Sequence, residues 1–175
     1  MAPAALVTTA GASNANAYCT LVFANQYHEN RPAAGTTWAT ATDPQKNAAI
    51  LWATLLMDRL WEWTGYPTDA IQALLWPRGG ILKLNGWEYV ALDVIPVELQ
   101  QATAEYARQL LASDRTGDSD IETQGITSIK AGSVELTFKD SVYAKAVPDI
   151  VYNLIPCGWG YPRSRESGVR SLIRA

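Results

Sequence analysis

Apolar residues recur with a helical period over a long segment near the middle of the chain, residues 43–63. They cover far more of the circumference than the stripe of about 100° that a surface helix buries. The polar residues form one line at a spacing of four, namely Thr54, Asp58 and Glu62. Two interpretations fit this pattern. The helix is either wrapped by the rest of the monomer, or its second face meets an adjacent subunit.

Capping signals mark the start of this helix and of three others. Thr20 is placed to cap a short helix that ends near residue 30, and Thr42 is placed to cap the long one. Pro96 opens an amphipathic helix that runs to about residue 112, and Pro148 opens a short helix to about residue 155. The sequence therefore predicts a mainly helical domain.

The period of the pattern changes from 3.6 to 2 later in the chain. Val134, Leu136 and Phe138 alternate with polar residues and predict a half-exposed strand, for which residues 126–130 provide a partner. An isolated hairpin is only marginally stable in water. We therefore expect this hairpin, at about residues 125–139, to pack on helices or to extend a sheet shared with another chain.

Residues 81–94 form a long loop without a helical or strand period. A loop that carries many apolar residues is expected to cover the core. We expect this of the following apolar members: Ile81, Leu84, Trp87, Tyr89 and Val90.

The chain contains seven tryptophans, while only 18% of its residues are charged. Such a composition is typical of a surface that partners cover, although packing in the core is favoured over recognition by about two to one. The net charge of −3 argues against a general polyanion binder. No apolar run reaches the length of about 20 residues that spans a membrane, so no membrane partner is expected.

Candidate catalytic groups are few. His28 is the single histidine, and the two cysteines, Cys19 and Cys157, are remote from each other in sequence. Neither a metal site nor a local Cys–His pair follows from these spacings. We therefore expect no cofactor, no metal and no enzymatic activity.

Five blocks of sequence occur in order over most of the chain. The most specific is Gln-Ala-Leu-Leu-Trp-Pro-Arg at 72–78. The others are Ser-Asn-Ala-Asn-Ala-Tyr at 13–18 with Tyr-His at 27–28, residues 53–59 with Leu-Met-Asp-Arg leading to Trp-x-Gly at 63–65, Ile-Pro-x-x-Leu at 95–99 followed by residues 100–111, and Ile-Lys-x-Gly-x-Val-Glu at 129–135. Together they resemble the head–tail adaptor, or head completion and connector, proteins of tailed bacteriophages. That family is often labelled as DnaT-like single-stranded DNA-binding protein. The motif residues of the block at 72–78 are Gln72, Leu74, Trp76, Pro77 and Arg78.

The resemblance implies a small bundle of about four helices at residues 1–155 with one protruding hairpin, followed by an extended basic arm at 156–175. It also implies a structural protein of the virion neck, assembled in the host cytoplasm as a ring of about 12 subunits. The expected partners are the portal protein, a downstream tail or neck protein, and genomic DNA that passes through the ring without sequence-specific binding.

Under this interpretation two groups of residues carry the function. The arm would bind the portal through Arg163, Arg165, Arg170 and Arg174. Subunits would meet through Trp52, Leu56, Val134, Leu136 and Phe138. The alternative is a protein that binds single-stranded DNA. Such proteins interleave aromatic and basic residues along a groove, and this chain does so only at residues 161–163, so we favour the adaptor.

Overall fold

The computed structural model describes residues 3–31, 36–113, 128–131, 134–137 and 146–163. Its helices are α1 (Leu21–Glu29), α2 (Thr36–Thr40), α3 (Asp43–Leu60), α4 (Val97–Ala112) and α5 (Asp149–Leu154). Its strands are β1 (Trp61–Trp63), β2 (Tyr66–Pro67), β3 (Arg78–Gly79), β4 (Ser128–Ala131), β5 (Val134–Thr137) and β6 (Gly160–Pro162).

The helix starts lie where the capping signals predict them. The Thr20 hydroxyl accepts a hydrogen bond from the Phe23 amide at 3.1 Å, and the Thr42 amide donates to the Gln45 side chain at 2.9 Å. These contacts satisfy amides that the first turn of a helix leaves without partners. The long helix α3 ends at Leu60, three residues earlier than predicted, because Trp61 is already extended and begins β1.

All strand pairs of the described residues are antiparallel and two-stranded. In β1 and β6, Trp61 lies opposite Pro162 and Trp63 lies opposite Gly160. In β2 and β3, Tyr66 lies opposite Gly79. The pair β4–β5 occupies the position of the predicted hairpin, whose Phe138 lies outside the described residues.

The prediction of a helical bundle with one hairpin is wrong, because the fold mixes helices with several strand pairs. The pairs β1–β6 and β2–β3 join residues 61–67 to residues 78–79 and 160–162. Strands of two or three residues are too short to show a period of two, so hydrophobic patterning does not reveal them. Their hydrogen bonds depend on partners far away in sequence.

The core lies between α3 and α4, with α1 and α5 packed against α4. A run of aromatic rings extends it towards the strands. Trp61 stacks on Trp63 with centroids 5.3 Å apart, Trp63 meets Trp76 edge to face at 5.5 Å, and Trp76 contacts Trp159 at 5.3 Å. We call these four residues the tryptophan cluster; each is less than a tenth exposed.

Candidate functional site

Residues 81–90 fold into a narrow hairpin, here called the aromatic hairpin. The Val90 amide donates to the Ile81 carbonyl at 2.8 Å, and the Lys83 amide donates to the Glu88 carbonyl at 2.7 Å. At the turn, the Gly86 amide donates to the Lys83 carbonyl at 2.9 Å. Gly86 has a φ of +73°, which glycine adopts without steric cost. The loop therefore has a defined backbone path.

The hairpin projects its large apolar side chains into solvent. Trp87 is 88% exposed, Leu84 is 73% exposed and Tyr89 is 64% exposed, whereas Ile81 and Val90 at the base are buried. The prediction that all five residues cover the core is therefore wrong for the three at the tip. The dipeptide Asn85-Gly86 is a strong hairpin signal when apolar residues flank it, and it could have identified this turn from sequence.

Side chains fix the hairpin before any partner binds. The Asn85 side-chain oxygen accepts from the amides of Trp87 and Glu88, both at 3.1 Å. The Lys83 ammonium lies 2.7 Å from the Glu88 carboxylate, and its hydrogen bond lowers the pKa of Glu88. Trp87 and Tyr89 are two positions apart on the returning arm, a spacing at which an extended chain presents side chains to the same side.

The tryptophan cluster supports this hairpin and also adjoins the basic end of the chain. The Trp159 indole donates to the Leu82 carbonyl at 2.6 Å. Four residues later, the Arg163 amide donates to the Leu60 carbonyl at 2.7 Å. Because four extended residues span at most about 14 Å, exposed Arg163 lies close to the base of the hairpin. Tyr161, between them, is 53% exposed.

The residues predicted to bind the portal or to join subunits differ in their exposure. Arg163 is exposed, whereas Arg165, Arg170 and Arg174 lie outside the described residues. Trp52 is 45% exposed, whereas Leu56 is buried in the core. Val134 and Leu136 belong to β5, where they lie opposite Ala131 and Ile129.

The sequence block at 72–78 holds the loop between β2 and β3. The Gln72 side-chain oxygen accepts from the amides of Thr68 and Asp69 at 3.0 Å, and its nitrogen donates to the carbonyls of Leu74 and Pro77. Buried Arg78 donates to the carbonyls of Thr64, Gly65 and Leu75 at 2.6, 2.8 and 3.2 Å. Trp76 belongs to the tryptophan cluster. These motif residues stabilise the fold, and the Arg78 guanidinium is not available to a ligand.

A groove of about 700 Å³ runs along α3, between its exposed stripe and the N-terminal segment. Trp52, Leu55 and Arg59 line the α3 side. Arg59 forms no ion pair with any described residue. The floor is polar, because the Asp58 carboxylate accepts from the Tyr18 hydroxyl and from the Leu75 amide, and burial raises the pKa of Asp58. Thr54 accepts from the Tyr18 amide at 3.2 Å.

The candidate catalytic residues do not come together. His28 is buried, bonds to the Ala104 carbonyl through Nε2 at 3.1 Å and contacts the rings of Tyr27 and Trp38; burial lowers its pKa. Burial also raises the pKa of Cys19 to about 12, while Cys157 is exposed. No group of metal-binding side chains occurs among the described residues, and none of their helices is long and apolar enough to span a membrane.

Comparison with known proteins gives one match. The family described as "Putative DnaT-like ssDNA binding protein" matches residues 4–171. No curated protein and no solved structure matches the chain. The identification as a head–tail adaptor of tailed bacteriophages is therefore wrong, and so are the virion connector and neck assignments that depended on it. Nothing found supports a portal partner, a tail partner or a ring of 12 subunits.

Proposed function

The chain belongs to this family of DnaT-like single-stranded DNA-binding proteins, and on that premise we propose that it binds single-stranded DNA, without catalysis, through the aromatic hairpin. Bases stack on Trp87 and Tyr89, and the basic end of the chain, which starts at Arg163, contacts the phosphates.

The observation that carries the proposal is the 88% exposure of Trp87 on a hairpin that is already ordered. Burial of a large apolar side chain contributes about 1.5–3 kcal/mol, which the free protein does not gain at this position. Stacking of a base on an aromatic ring contributes about 1–3 kcal/mol and accepts any base, because every base has a π face. Stacking of a base on Trp87 therefore buries the ring and provides stabilisation that the free protein does not have.

Charge complements stacking in this proposal. Within the hairpin the Lys83 ammonium is paired with Glu88, so the hairpin itself attracts phosphate weakly. The sequence from Arg163 onwards contains four arginines and one acid, Glu166. Release of counterions from about four phosphates would give a log–log salt slope of about −3 for a single strand. We expect a modest salt dependence, in agreement with the small net charge.

The proposal is tested by measuring the fluorescence anisotropy of a labelled oligothymidine during titration with the protein. We expect Trp87→Ala to weaken binding at least about fivefold, which corresponds to a loss of about 1 kcal/mol. The matched control is Trp52→Ala, which removes the other exposed tryptophan from α3 and should change the Kd less than twofold. Circular dichroism verifies that both variants are folded.

Two outcomes would contradict the proposal. In one, the wild-type protein does not bind the oligonucleotide even at low salt, where phosphate contacts are strongest. In the other, Trp87→Ala binds as tightly as the wild type while Trp52→Ala loses affinity. The second result would move the interface to the groove along α3, where Trp52 lies beside Arg59.

The contribution of the arm is tested separately by deleting residues 164–175. We expect weaker binding and a flatter salt slope, since three of the four arginines are lost. The Trp87→Ala change should leave the salt slope unaltered, because it removes no charge. A truncated protein that retains the full slope would show that the phosphates are bound elsewhere.

A further inference from the structure

A second cavity, of about 400 Å³, lies between α1 and α4 and shares no lining residue with the aromatic hairpin. Its size falls within the range of about 300–1,000 Å³ that is usual for small-molecule sites. It is lined by Phe23, Gln26, Tyr27, Asn30, Arg31 and Gln101.

The helical period of α1 produces this arrangement. Phe23, Gln26, Tyr27 and Asn30 follow one another at the spacing of a single helix face. The adjacent face buries Ala24 and His28 in the core. The rings of Phe23 and Tyr27 thus form one apolar wall. Burial raises the pKa of Tyr27, which therefore keeps its hydroxyl proton at neutral pH.

Three carboxamides surround this wall, at Gln26, Asn30 and Gln101. Within the described residues none of the three side chains makes a hydrogen bond. Each amide provides two donors and one acceptor oxygen. The edges of nucleobases also combine donors with acceptors, so the amides suit such a ring.

Positive charge lies at the end of the pocket. The fully buried Glu105 carboxylate accepts from Arg108 at 2.6 Å and also from Arg31. Burial alone would raise the pKa of Glu105, but the two arginines outweigh it and hold the pKa below its ordinary value. Glu105 is therefore ionised at neutral pH, and the trio carries one net positive charge.

Arg31 has donors left for a ligand. Its side chain is 33% exposed, and its bond to Glu105 uses Nη1. A guanidinium has five N–H donors, and those that remain suit a phosphate group.

We propose that this pocket binds one nucleotide unit. The base packs on Phe23 and Tyr27, its polar edge bonds to the amides, and its 5′-phosphate bonds to Arg31. A free mononucleotide and a nucleotide within a DNA strand offer the same chemistry. The proposal does not rest on DNA binding by the hairpin, because the two sites have no residue in common.

The test is isothermal titration with dAMP, with dTMP and with deoxyribose 5-phosphate, which lacks a base. Each ligand is tested to about 10 mM, a concentration that saturates a site of millimolar Kd. We expect at least one nucleotide to bind, with an affinity at least about tenfold above that of the sugar phosphate. Gln101→Ala should weaken nucleotide binding severalfold, and Phe23→Ala should weaken it further.

The matched control is Val22→Ala. Val22 is 76% exposed and adjacent to Phe23 in sequence, but it does not line the pocket. It should leave nucleotide affinity unchanged. Since Phe23 is half-buried, its variant is also examined by urea unfolding. Gln101→Ala keeps the test valid if Phe23→Ala does not fold, because alanine is the best helix former.

Absence of binding by both nucleotides would overturn the proposal. So would equal affinity for the sugar phosphate, or full affinity in Gln101→Ala. The source of the ligand is then resolved with a short oligonucleotide and the Trp87→Ala protein. If adding Gln101→Ala to the Trp87→Ala protein weakens its binding of the oligonucleotide, the pocket binds a base of the strand. If the pocket binds mononucleotides but not the oligonucleotide, its ligand is a free nucleotide.

Discussion

Tryptophan occupies two contrasting environments in this protein. Trp61, Trp63, Trp76 and Trp159 lie in the core with neighbouring ring centroids 5.3–5.5 Å apart, whereas Trp87 stands on a hairpin and is 88% exposed. The difference arises from the backbone. Short strands bring the four buried rings together, while the turn at Asn85-Gly86 directs residues 84–89 away from the core. Tryptophan therefore packs the core in the tryptophan cluster and is exposed to solvent on the aromatic hairpin.

The two regions also differ in how their polar atoms are satisfied. The indole nitrogens of Trp61, Trp63 and Trp76 are buried and have no hydrogen-bond partner among the described residues, whereas that of Trp159 bonds to the hairpin. A buried unpaired donor costs about 1–3 kcal/mol. Apolar burial and ring contacts must outweigh this cost in the cluster. The cluster is thus held by packing, and the Trp159 bond joins it to the hairpin.

The largest effect that the comparison predicts is on stability. Trp76→Ala should lower the free energy of unfolding by about 3–5 kcal/mol, since it leaves a cavity between Trp63 and Trp159. Trp87→Ala should change it by no more than about 0.5 kcal/mol, because its ring contacts little in the free protein. Urea unfolding measures both. Equal losses in the two variants would show that the hairpin tryptophan is a core residue.

A second contrast concerns two arginines. Arg78→Met should cost about 3 kcal/mol of unfolding free energy, because the Thr64, Gly65 and Leu75 carbonyls lose their charged donor. Arg163→Met should leave stability nearly unchanged and should weaken DNA binding instead. Urea unfolding and anisotropy titration of both variants provide the measurement. Loss of DNA affinity in a fully folded Arg78→Met protein would contradict the structural role of Arg78.

The sequence predicted the helices better than the strands. Capping residues such as Thr20 and Thr42 act within three or four positions, so their effect can be recognised locally. Strands β1 and β6 have only three residues each and pair across about 100 positions, at a distance where no local pattern exists. The identification as a phage adaptor was wrong, although it included the DNA-binding family as the alternative.

The candidate site was harder to predict than the fold. An apolar loop is usually covered, so the sequence pattern predicts that Leu84, Trp87 and Tyr89 cover the core, and only the dipeptide Asn85-Gly86 indicates the turn that exposes them. The block at 72–78 can be identified in the sequence, but two of the three carbonyls that Arg78 binds lie 13 and 14 positions earlier, at Gly65 and Thr64. The role of Arg78 depends on tertiary structure, and the sequence alone does not show whether its guanidinium binds the backbone or a ligand.

The link between the two regions predicts a smaller effect. Trp159→Phe removes the donor to the Leu82 carbonyl and should cost about 1 kcal/mol of unfolding free energy. It should also weaken DNA binding two- to threefold, by about 0.5 kcal/mol, because the hairpin loses a support. Trp61→Phe is the control, since the Trp61 indole nitrogen bonds to no described part of the chain. If the two variants behave alike in both assays, the hydrogen bond does not support the hairpin.

The smallest effect is a pH dependence of stability that DNA binding does not share. Burial lowers the pKa of His28 from its ordinary value of 6.5, so the fold favours the neutral ring. The stability contributed by a group with a lowered pKa is complete above its unfolded pKa and is lost as pH falls. The free energy of unfolding should therefore decrease as pH falls below about 6.5. Stacking on the Trp87 indole involves no ionisable group, so DNA affinity of the folded protein should remain constant over this range.

Comparison of the wild type with His28→Gln isolates this contribution. A glutamine side chain can still donate to the Ala104 carbonyl but does not titrate. Asp58 acts in the opposite sense, because its raised pKa gives stability that is lost as pH rises, and its contribution is common to both proteins. Urea unfolding at several pH values should give a flatter profile for His28→Gln between about pH 5 and pH 7. An unchanged profile would assign the pH dependence to another buried group, and a parallel fall in DNA affinity would show that the hairpin depends on the same buried region.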